Sequence, residues 1–145
     1  MANFKYFTLK ELCASDVATS RKIDNFPSFT IVENLAELTE KILEPLRAAW
    51  GSSIIVTSGY RCDALNRVVG GVSTSAHKNG YAADLYPGNG KIDDFGKFVK
   101  DWLIKNKVKF DQVLFETKDR KRWVHISLRS STGSQRCETK NLIVK

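Results

Sequence analysis

The sequence lacks most of the features that assign a chain to a specialised class of protein. It has no run of roughly eighteen or more apolar residues, so no transmembrane helix is expected. Residues 1–7 contain neither a long apolar segment nor a small-residue cleavage site, so we expect no secretory signal peptide. Its three cysteines, Cys13, Cys62 and Cys137, are far apart and form no Cys-x-x-Cys pair. This spacing argues against a thiolate zinc site or a disulfide framework and predicts three free thiols in a reducing compartment.

Basic residues outnumber acidic ones by 23 to 16, which gives a formal net charge of +7. Such a balance favours anionic partners, and nucleic acid and an acidic cell-wall polymer are the two candidates. The basic residues are scattered except for a cluster at residues 118–122, which we interpret as a solvated turn. Neither a helix-turn-helix nor an aromatic and basic nucleic-acid signature is present. We therefore predict no nucleic-acid partner, with a small basic nucleic-acid-binding protein as an alternative.

A long amphipathic helix is the clearest secondary-structure prediction. It is expected to begin at the capping box Thr30–Glu33, because apolar residues recur behind it at helical spacing. Pro45 should kink this helix or mark its last turns, and Gly51 should end it. The buried stripe consists of Ile31, Leu35, Leu38, Ile42 and Leu46.

The remaining pattern predicts shorter elements. Helices are expected after the capping box Thr8–Glu11 and near residues 63–69 and 92–103, and residues 14–29 are expected to be irregular. A short buried strand is predicted at residues 54–57, and further strands at 81–86, 112–116 and 123–128, with a polar hairpin loop between the last two. Residues 142–144 are predicted to form an edge strand. With its strands clustered late, the chain is predicted to be one α+β domain, residues 1–145, in which a small antiparallel sheet packs against helices.

Alternation along the predicted strands separates core residues from those of the opposite face. In the strand 123–128, Val124 and its alternate neighbours should enter the core, which places His125 on the other face. By the same count, Asp84 and Glu116 face away from the core in their own strands. The sequence therefore predicts that Asp84, Glu116 and His125 project from one face of one sheet, and that His77 joins them from the preceding loop.

Both of the chain's two histidines, His77 and His125, belong to this pattern. With Asp84 they form a set of two imidazole nitrogens and one carboxylate, which suits catalytic zinc because three protein ligands leave a fourth position for water. Zinc lowers the pKa of bound water to about 7 and polarises a carbonyl, and Glu116 is the candidate base. Taken singly, each residue has an ordinary alternative: a structural or surface histidine, a buried hydrogen-bonded Asp84, a solvated Glu116. No His-Glu-x-x-His helix is present, which excludes the zincin arrangement.

Several motifs in the chain occur together in one family. The most specific is Ser-x-His-x-x-Gly-x-Ala-x-Asp at residues 75–84, and Trp-x-His follows at residues 123–125. Ser58-Gly59-Tyr60-Arg61, Asn66 and Gly70-Gly71 precede them. Over roughly residues 5–128, the chain resembles the zinc D-alanyl-D-alanine carboxypeptidase-like peptidases of peptidoglycan, in their small single-domain bacterial and phage branch. Their zinc site is related to those of lysostaphin-type enzymes and the hedgehog domain.

The resemblance implies that His77, Asp84 and His125 are zinc ligands. It implies that Arg61 binds the substrate through a carboxylate or a backbone carbonyl, for which a guanidinium fork is well suited. It also implies that Ser75 bonds to substrate or orients a ligand, and a plain turn serine is the alternative.

The chain departs from the family pattern at one position. Arg122 stands three residues before His125, where many relatives carry the catalytic Asp or Glu, and a guanidinium cannot act as a base. Other branches place the Glu at the end of the preceding strand, which favours Glu116. A longer loop is expected between Glu116 and Trp123, and Asp119 in that loop is the alternative base.

The predicted function is a zinc-dependent peptidase that hydrolyses a peptide bond involving a D-amino acid in the peptidoglycan stem peptide. Carboxypeptidase and endopeptidase (endolysin) action are both open. The alternative is a catalytically inactive, zinc-containing cell-wall-binding module. Synthesis in the cytoplasm is expected, with a phage enzyme acting on the cell wall as one origin. Zn²⁺ is the expected cofactor, the stem peptide the expected partner, and a monomer without membrane contact the expected state.

Overall fold

The computed structural model describes residues 3–145. Six α-helices and five strands follow one another in mixed order within this range, with a π-helical turn at Thr39–Leu43 and a 3₁₀ turn at Ala76–Asn79. The helices are α1 (Leu9–Cys13), α2 (Asp16–Ser20), α3 (Phe29–Leu38), α4 (Glu44–Trp50), α5 (Asp63–Val68) and α6 (Ile92–Lys105). The strands are β1 (Ile54–Ser58), β2 (Ala82–Pro87), β3 (Gln112–Lys118), β4 (Lys121–Ser127) and β5 (Glu138–Ile143).

All five strands form one sheet in the order β1-β2-β4-β3-β5. The first three pairings are antiparallel, whereas β5 lies parallel to β3 at the edge. The parallel pairing arises because residues 128–137 carry the chain back past the sheet before β5 begins. The predicted α+β class is confirmed, and the sheet is mostly rather than wholly antiparallel.

The long helix and α6 cover one face of the sheet and form the core with it. The long helix contributes the predicted stripe, in which Leu35, Leu38, Ile42 and Leu46 are fully buried. Apolar residues of α6 and of the strands complete the same cluster, among them Phe95, Val99, Leu103, Leu85, Val113, Val124 and Ile126. The other face of the sheet carries Asp84, Glu116 and His125, with Leu114 and Trp123 beside them.

The long helix begins and continues differently from the prediction. Its cap is Ser28, whose Oγ accepts the N–H of Ile31 at 3.3 Å, so the capping box at Thr30–Glu33 is wrong. Pro45 lies in the last two turns of the helix, as predicted, but the π turn at Thr39–Leu43 directly before it was not predicted; this wider turn relieves the clash of the proline ring with the carbonyl four residues earlier. Gly51, at φ +76°, ends the helix as predicted.

Three other local predictions are wrong. The segment expected to be irregular contains α2, which Ser15 caps by accepting the N–H of Ala18. Strand β1 is an edge strand rather than a buried one, and Ile55 is 49% exposed. The expected loop between β3 and β4 is strand almost throughout, because Lys118 pairs with Lys121 across a two-residue turn. Among the described residues, we find no helix with the length and apolarity needed to cross a membrane.

Candidate metal centre

Three ligand-type side chains meet on the polar face of the sheet. Asp84 of β2 and His125 of β4 are direct cross-strand partners, and His77 reaches them from the 3₁₀ turn. Oδ1 of Asp84 lies 3.2 Å from Nε2 of His77 and 3.0 Å from Nδ1 of His125. One potential ligand atom from each residue lies within 4.8 Å of the other two, and all three residues are buried. The predicted convergence of these residues is therefore present in the fold.

His77 is oriented by a contact on the far side of its ring. Nδ1 lies 2.7 Å from the carbonyl oxygen of Gly59, so an N–H at Nδ1 donates there and leaves the lone pair of Nε2 facing Asp84. A histidine that gives one ring nitrogen to a carbonyl and turns the other inward is the usual arrangement behind a metal ligand. Gly59 is required at this point, since a Cβ there would lie 2.0 Å from the carbonyl oxygen of Leu12.

The donor set fits a divalent cation. Burial lowers the pKa of His77 below its ordinary value, so the neutral imidazole turns a bare nitrogen toward the oxygen of Asp84. Burial works to raise the pKa of Asp84, but the two imidazoles outweigh it and hold the pKa well below its usual range. A cation bound by both atoms would relieve the repulsion between two acceptors 3.2 Å apart. Ligands about 2.0–2.2 Å from a tetrahedral zinc are separated by roughly 3.3–3.6 Å, close to the spacing found here.

Glu116 of β3 lines the same cleft as the three ligand-type residues. It lies on their face of the sheet, and its cross-strand partner is Trp123 of β4. Burial and the neighbouring charge of Asp84, in that order, raise the pKa of Glu116 above its ordinary value. A carboxylate with a raised pKa beside a cation site can accept a proton near neutral pH more readily than a solvated one. The turn from β3 to β4 is short, so no long loop separates Glu116 from Trp123.

Arg61 forms another wall of the cleft. Its guanidinium donates to Ser58 Oγ and to Asn66 Oδ1, both at 3.2 Å, and to Ser75 Oγ at 3.4 Å. Ser75 in turn caps the 3₁₀ turn, because its Oγ accepts the N–H of His77 at 3.2 Å. The same hydroxyl thus touches both the guanidinium and the backbone of a ligand-type histidine.

Arg122 faces away from this site. It stands three positions before His125 along β4, and this odd offset places its side chain on the helix-bearing face, where it forms an ion pair with Asp93 of α6. The position that carries an acid in many similar proteins therefore points away from the cleft in this chain. Asp119, the other candidate base, occupies the tip of the hairpin at φ +55°.

Other residues that line the cleft were not predicted. Asp111 is buried and pairs with Arg136 through two bonds of 2.8 Å, and both residues line the cleft. No motif links these two residues, so their pairing could not be predicted from the sequence. Asn66 was part of a motif, but its contact with Arg61 was not expected. The whole cleft measures about 480 Å³, within the usual range for sites that bind small ligands.

A family model described as Peptidase M15 matches residues 5–127. That range includes His77, Asp84 and His125 together with Glu116, and it ends where β4 ends. No curated protein matches the chain.

Proposed function

Because the chain belongs to the peptidase M15 family, we propose that it is a zinc-dependent peptidase that cleaves a bond involving a D-amino acid in the peptidoglycan stem peptide. One observation supports this proposal above all others. A ring nitrogen of His77 and one of His125 both lie within hydrogen-bonding distance of Oδ1 of Asp84, and Glu116 lines the same cleft. Membership of the family implies a zinc metallopeptidase, and the choice of substrate is our inference.

In this proposal His77, Asp84 and His125 hold Zn²⁺. The bound ion supplies Lewis acidity, which acidifies a water molecule and polarises the scissile carbonyl. The protein supplies the rigidity: two of the three ligands are paired residues of adjacent strands, and Gly59 fixes the ring of the third. Little reorganisation is then needed when substrate arrives.

Glu116 serves as the base and later as the acid. Its carboxylate takes a proton from the attacking water and passes it to the leaving amine. Burial and Asp84 raise the pKa of Glu116, which favours this exchange of protons. Arg122 takes no part, since it pairs with Asp93 on the other face of the sheet.

Arg61 and Ser75 position the substrate. Three neighbouring oxygens hold the guanidinium in place, and a planar guanidinium of this kind binds a carboxylate or carbonyl group of the peptide. Ser75 connects this group to the turn that carries His77, so the substrate and one ligand are fixed through a common hydroxyl.

Digestion of purified sacculi tests the proposal. Zinc-loaded protein is incubated with sacculi, and the released fragments are identified by mass spectrometry. We expect new termini at a D-residue: release of a single amino acid identifies a carboxypeptidase, and release of larger fragments an endopeptidase. Glu116→Ala should abolish cleavage but keep zinc, whereas Glu40→Ala, an exposed helix residue, should cleave normally. Retained wall binding without cleavage by the zinc-loaded wild type would overturn hydrolysis and identify a binding module.

A further inference from the structure

Two buried indole N–H groups lack a hydrogen-bond partner among residues 3–145, those of Trp50 and Trp123. A buried donor without an acceptor costs on the order of 1–3 kcal/mol, so such groups are uncommon and call for an explanation. The two tryptophans differ in their surroundings. Trp50 packs against Phe95 and Phe98 in the core, with ring centroids 5.2 Å from each. Trp123 lines the candidate catalytic cleft.

The fold places Trp123 directly beside Glu116. The two are cross-strand partners in the β3–β4 pairing and lie on the same face of the sheet. Side chains at such positions start from Cβ atoms about 4.5–5.5 Å apart, within reach of an indole. Trp123 is also two residues before His125 on β4, so its side chain shares the face of the metal-ligand set.

Glu116 is the acceptor that this donor can reach. Burial and Asp84 raise the pKa of Glu116, whereas the Trp123 side chain acts to lower it, as expected of a donor close to the carboxylate. Among residues 3–145, the indole nitrogen nevertheless has no partner at normal hydrogen-bond distance and angle. Catalytic hydrogen bonds are often long or poorly aligned without substrate and tighten in the complex.

We propose that Trp123 is a positioning residue for Glu116: its indole N–H donates to the carboxylate and holds it toward the attacking water. The proposal rests on the proposed role of Glu116 as the base. A glutamate has several rotatable bonds, and a displacement of about 1 Å at a reacting group can cost about 100-fold in rate. A single N–H from the neighbouring strand removes much of that freedom without contacting the substrate.

Kinetics of matched variants provide the first test. Trp123→Phe keeps an aromatic ring but removes the N–H, and Trp50→Phe makes the same change at the other unpaired indole. We expect zinc-loaded Trp123→Phe to lose about 10- to 100-fold in kcat, with KM changed less than about threefold and one zinc still bound. Trp50→Phe should keep wild-type kcat. Equal kcat values for the two variants, or a loss confined to KM, would overturn the proposal.

A spectroscopic measurement tests the contact without relying on activity. The indole N–H signals of the full-length protein are recorded by ¹H–¹⁵N NMR and assigned from the two Trp→Phe variants. Glu116→Ala should shift the Trp123 signal upfield, as expected for loss of a carboxylate acceptor, and leave the Trp50 signal in place. No shift at Trp123 would overturn the contact. If the wild type proves unable to hydrolyse sacculi, this readout still decides whether Trp123 holds Glu116, so the two failures are distinguishable.

A second substitution keeps the test valid if Trp123→Phe does not fold. Site-specific replacement of Trp123 by β-(benzothiophen-3-yl)alanine exchanges the N–H for sulfur and retains the shape of the ring. We expect the same loss in kcat from this change, because only the donor is removed. Wild-type kcat in the sulfur variant would overturn the proposal.

Discussion

Asn66 accepts a hydrogen bond from the guanidinium of Arg61, with Nε and Oδ1 3.2 Å apart. The amide nitrogen of the same side chain donates to the carbonyl of Val72 at 2.9 Å. Asn66 is only 2% exposed, so both bonds are made away from solvent. Asn66 therefore connects the guanidinium of Arg61, the proposed substrate-binding group, to the loop that forms one rim of the cleft.

Removal of this amide should weaken substrate binding. We expect Asn66→Ala to raise KM by about 5- to 30-fold, because a lost buried hydrogen bond costs roughly 1–2 kcal/mol, and to change kcat less. Asn106→Ala is the matched control, since that amide also donates to a backbone carbonyl but lies at the exposed end of α6. Steady-state kinetics on a soluble stem peptide provide the measurement, and an equal KM for both variants would contradict the expectation.

A substitution at Gly71 tests the same relationship from the other side. A Cβ at Gly71 would lie 2.1 Å from Oδ1 of Asn66, so Gly71→Ala must displace the amide that holds Arg61. We expect KM to rise as in Asn66→Ala, and the double variant to be little worse than either single one. Fully additive effects in this double-mutant cycle would show that the two changes act separately.

Residues whose positions follow from local rules could be predicted. Strand alternation was sufficient to place Asp84, Glu116 and His125 on one face, because burial of the opposite face sets the register of each strand. The contacts of Asn66 with Arg61 and with the carbonyl of Val72 could not be predicted in this way. They depend on how side chains from separate elements meet, and no periodicity encodes that.

The errors also have physical causes. A loop is predicted at the end of the β3–β4 hairpin because the residues there are polar. The strands nevertheless continue through them, since an exposed ladder of backbone hydrogen bonds needs no apolar side chains. The cap of the long helix is Ser28, whereas the sequence predicts Thr30, because both residue types are good N-caps. Glu33, three residues after Thr30, completes a capping-box pattern and so favours the wrong residue. The parallel pairing of β5 depends on the path of residues 128–137, about which composition says nothing.

Zinc should stabilise the fold. A ligand that binds only the native state adds about 2.7 kcal/mol at 100 times its dissociation constant. We expect a chelator to lower the midpoint of thermal unfolding and added zinc to restore it. Asp84→Asn should abolish the response, whereas Asp101→Asn, at an exposed position of α6, should keep it. An undiminished response in Asp84→Asn would rule out this aspartate as a ligand.

The orientation of Arg122 predicts that an acid at its position cannot replace the base. We expect Arg122→Glu to leave the inactivity of Glu116→Ala unchanged in the double variant, because the side chain at 122 lies on the α6 face beside Asp93. The single Arg122→Ala variant should remain active. Recovery of sacculus cleavage in the double variant would show that this end of β4 can rotate into the cleft.

The pair Asp111–Arg136 should make stability depend on acid pH. Burial raises the pKa of Asp111, but the hydrogen bonds and charge of Arg136 outweigh it and hold the pKa below its ordinary value. The unfolded chain, with a carboxyl pKa of about 3.9, then binds the proton more tightly than the native state. The contribution to stability is complete above that pKa and is lost as the pH falls through it toward the folded value.

Removal of the Arg136 side chain should weaken this dependence. In Arg136→Ala, two hydrogen bonds and one charge that lower the pKa of Asp111 are lost, whereas burial and the backbone N–H of residue 136 still act on it, so its pKa moves up toward the ordinary value. We expect the difference in unfolding free energy between wild type and Arg136→Ala to shrink between about pH 5 and pH 3, as measured by urea titration. A difference that stays constant over this range would mean that Asp111 does not titrate in it.

Glu44 ties the N-terminal segment to the long helix. Its two carboxylate oxygens accept the backbone N–H groups of Lys5, Tyr6 and Phe7 at 2.9, 2.8 and 3.0 Å. Phe7 enters the core beside them and is 2% exposed.

Because hydrogen bonds to a charged group contribute about 1.5–3 kcal/mol each and these three share one acceptor, we expect Glu44→Ala to lower the unfolding free energy by about 2–4 kcal/mol. Glu40→Ala, an exposed position one turn earlier, is the control and should change it little. Equal losses in the two variants would show that the segment is held by Phe7 alone.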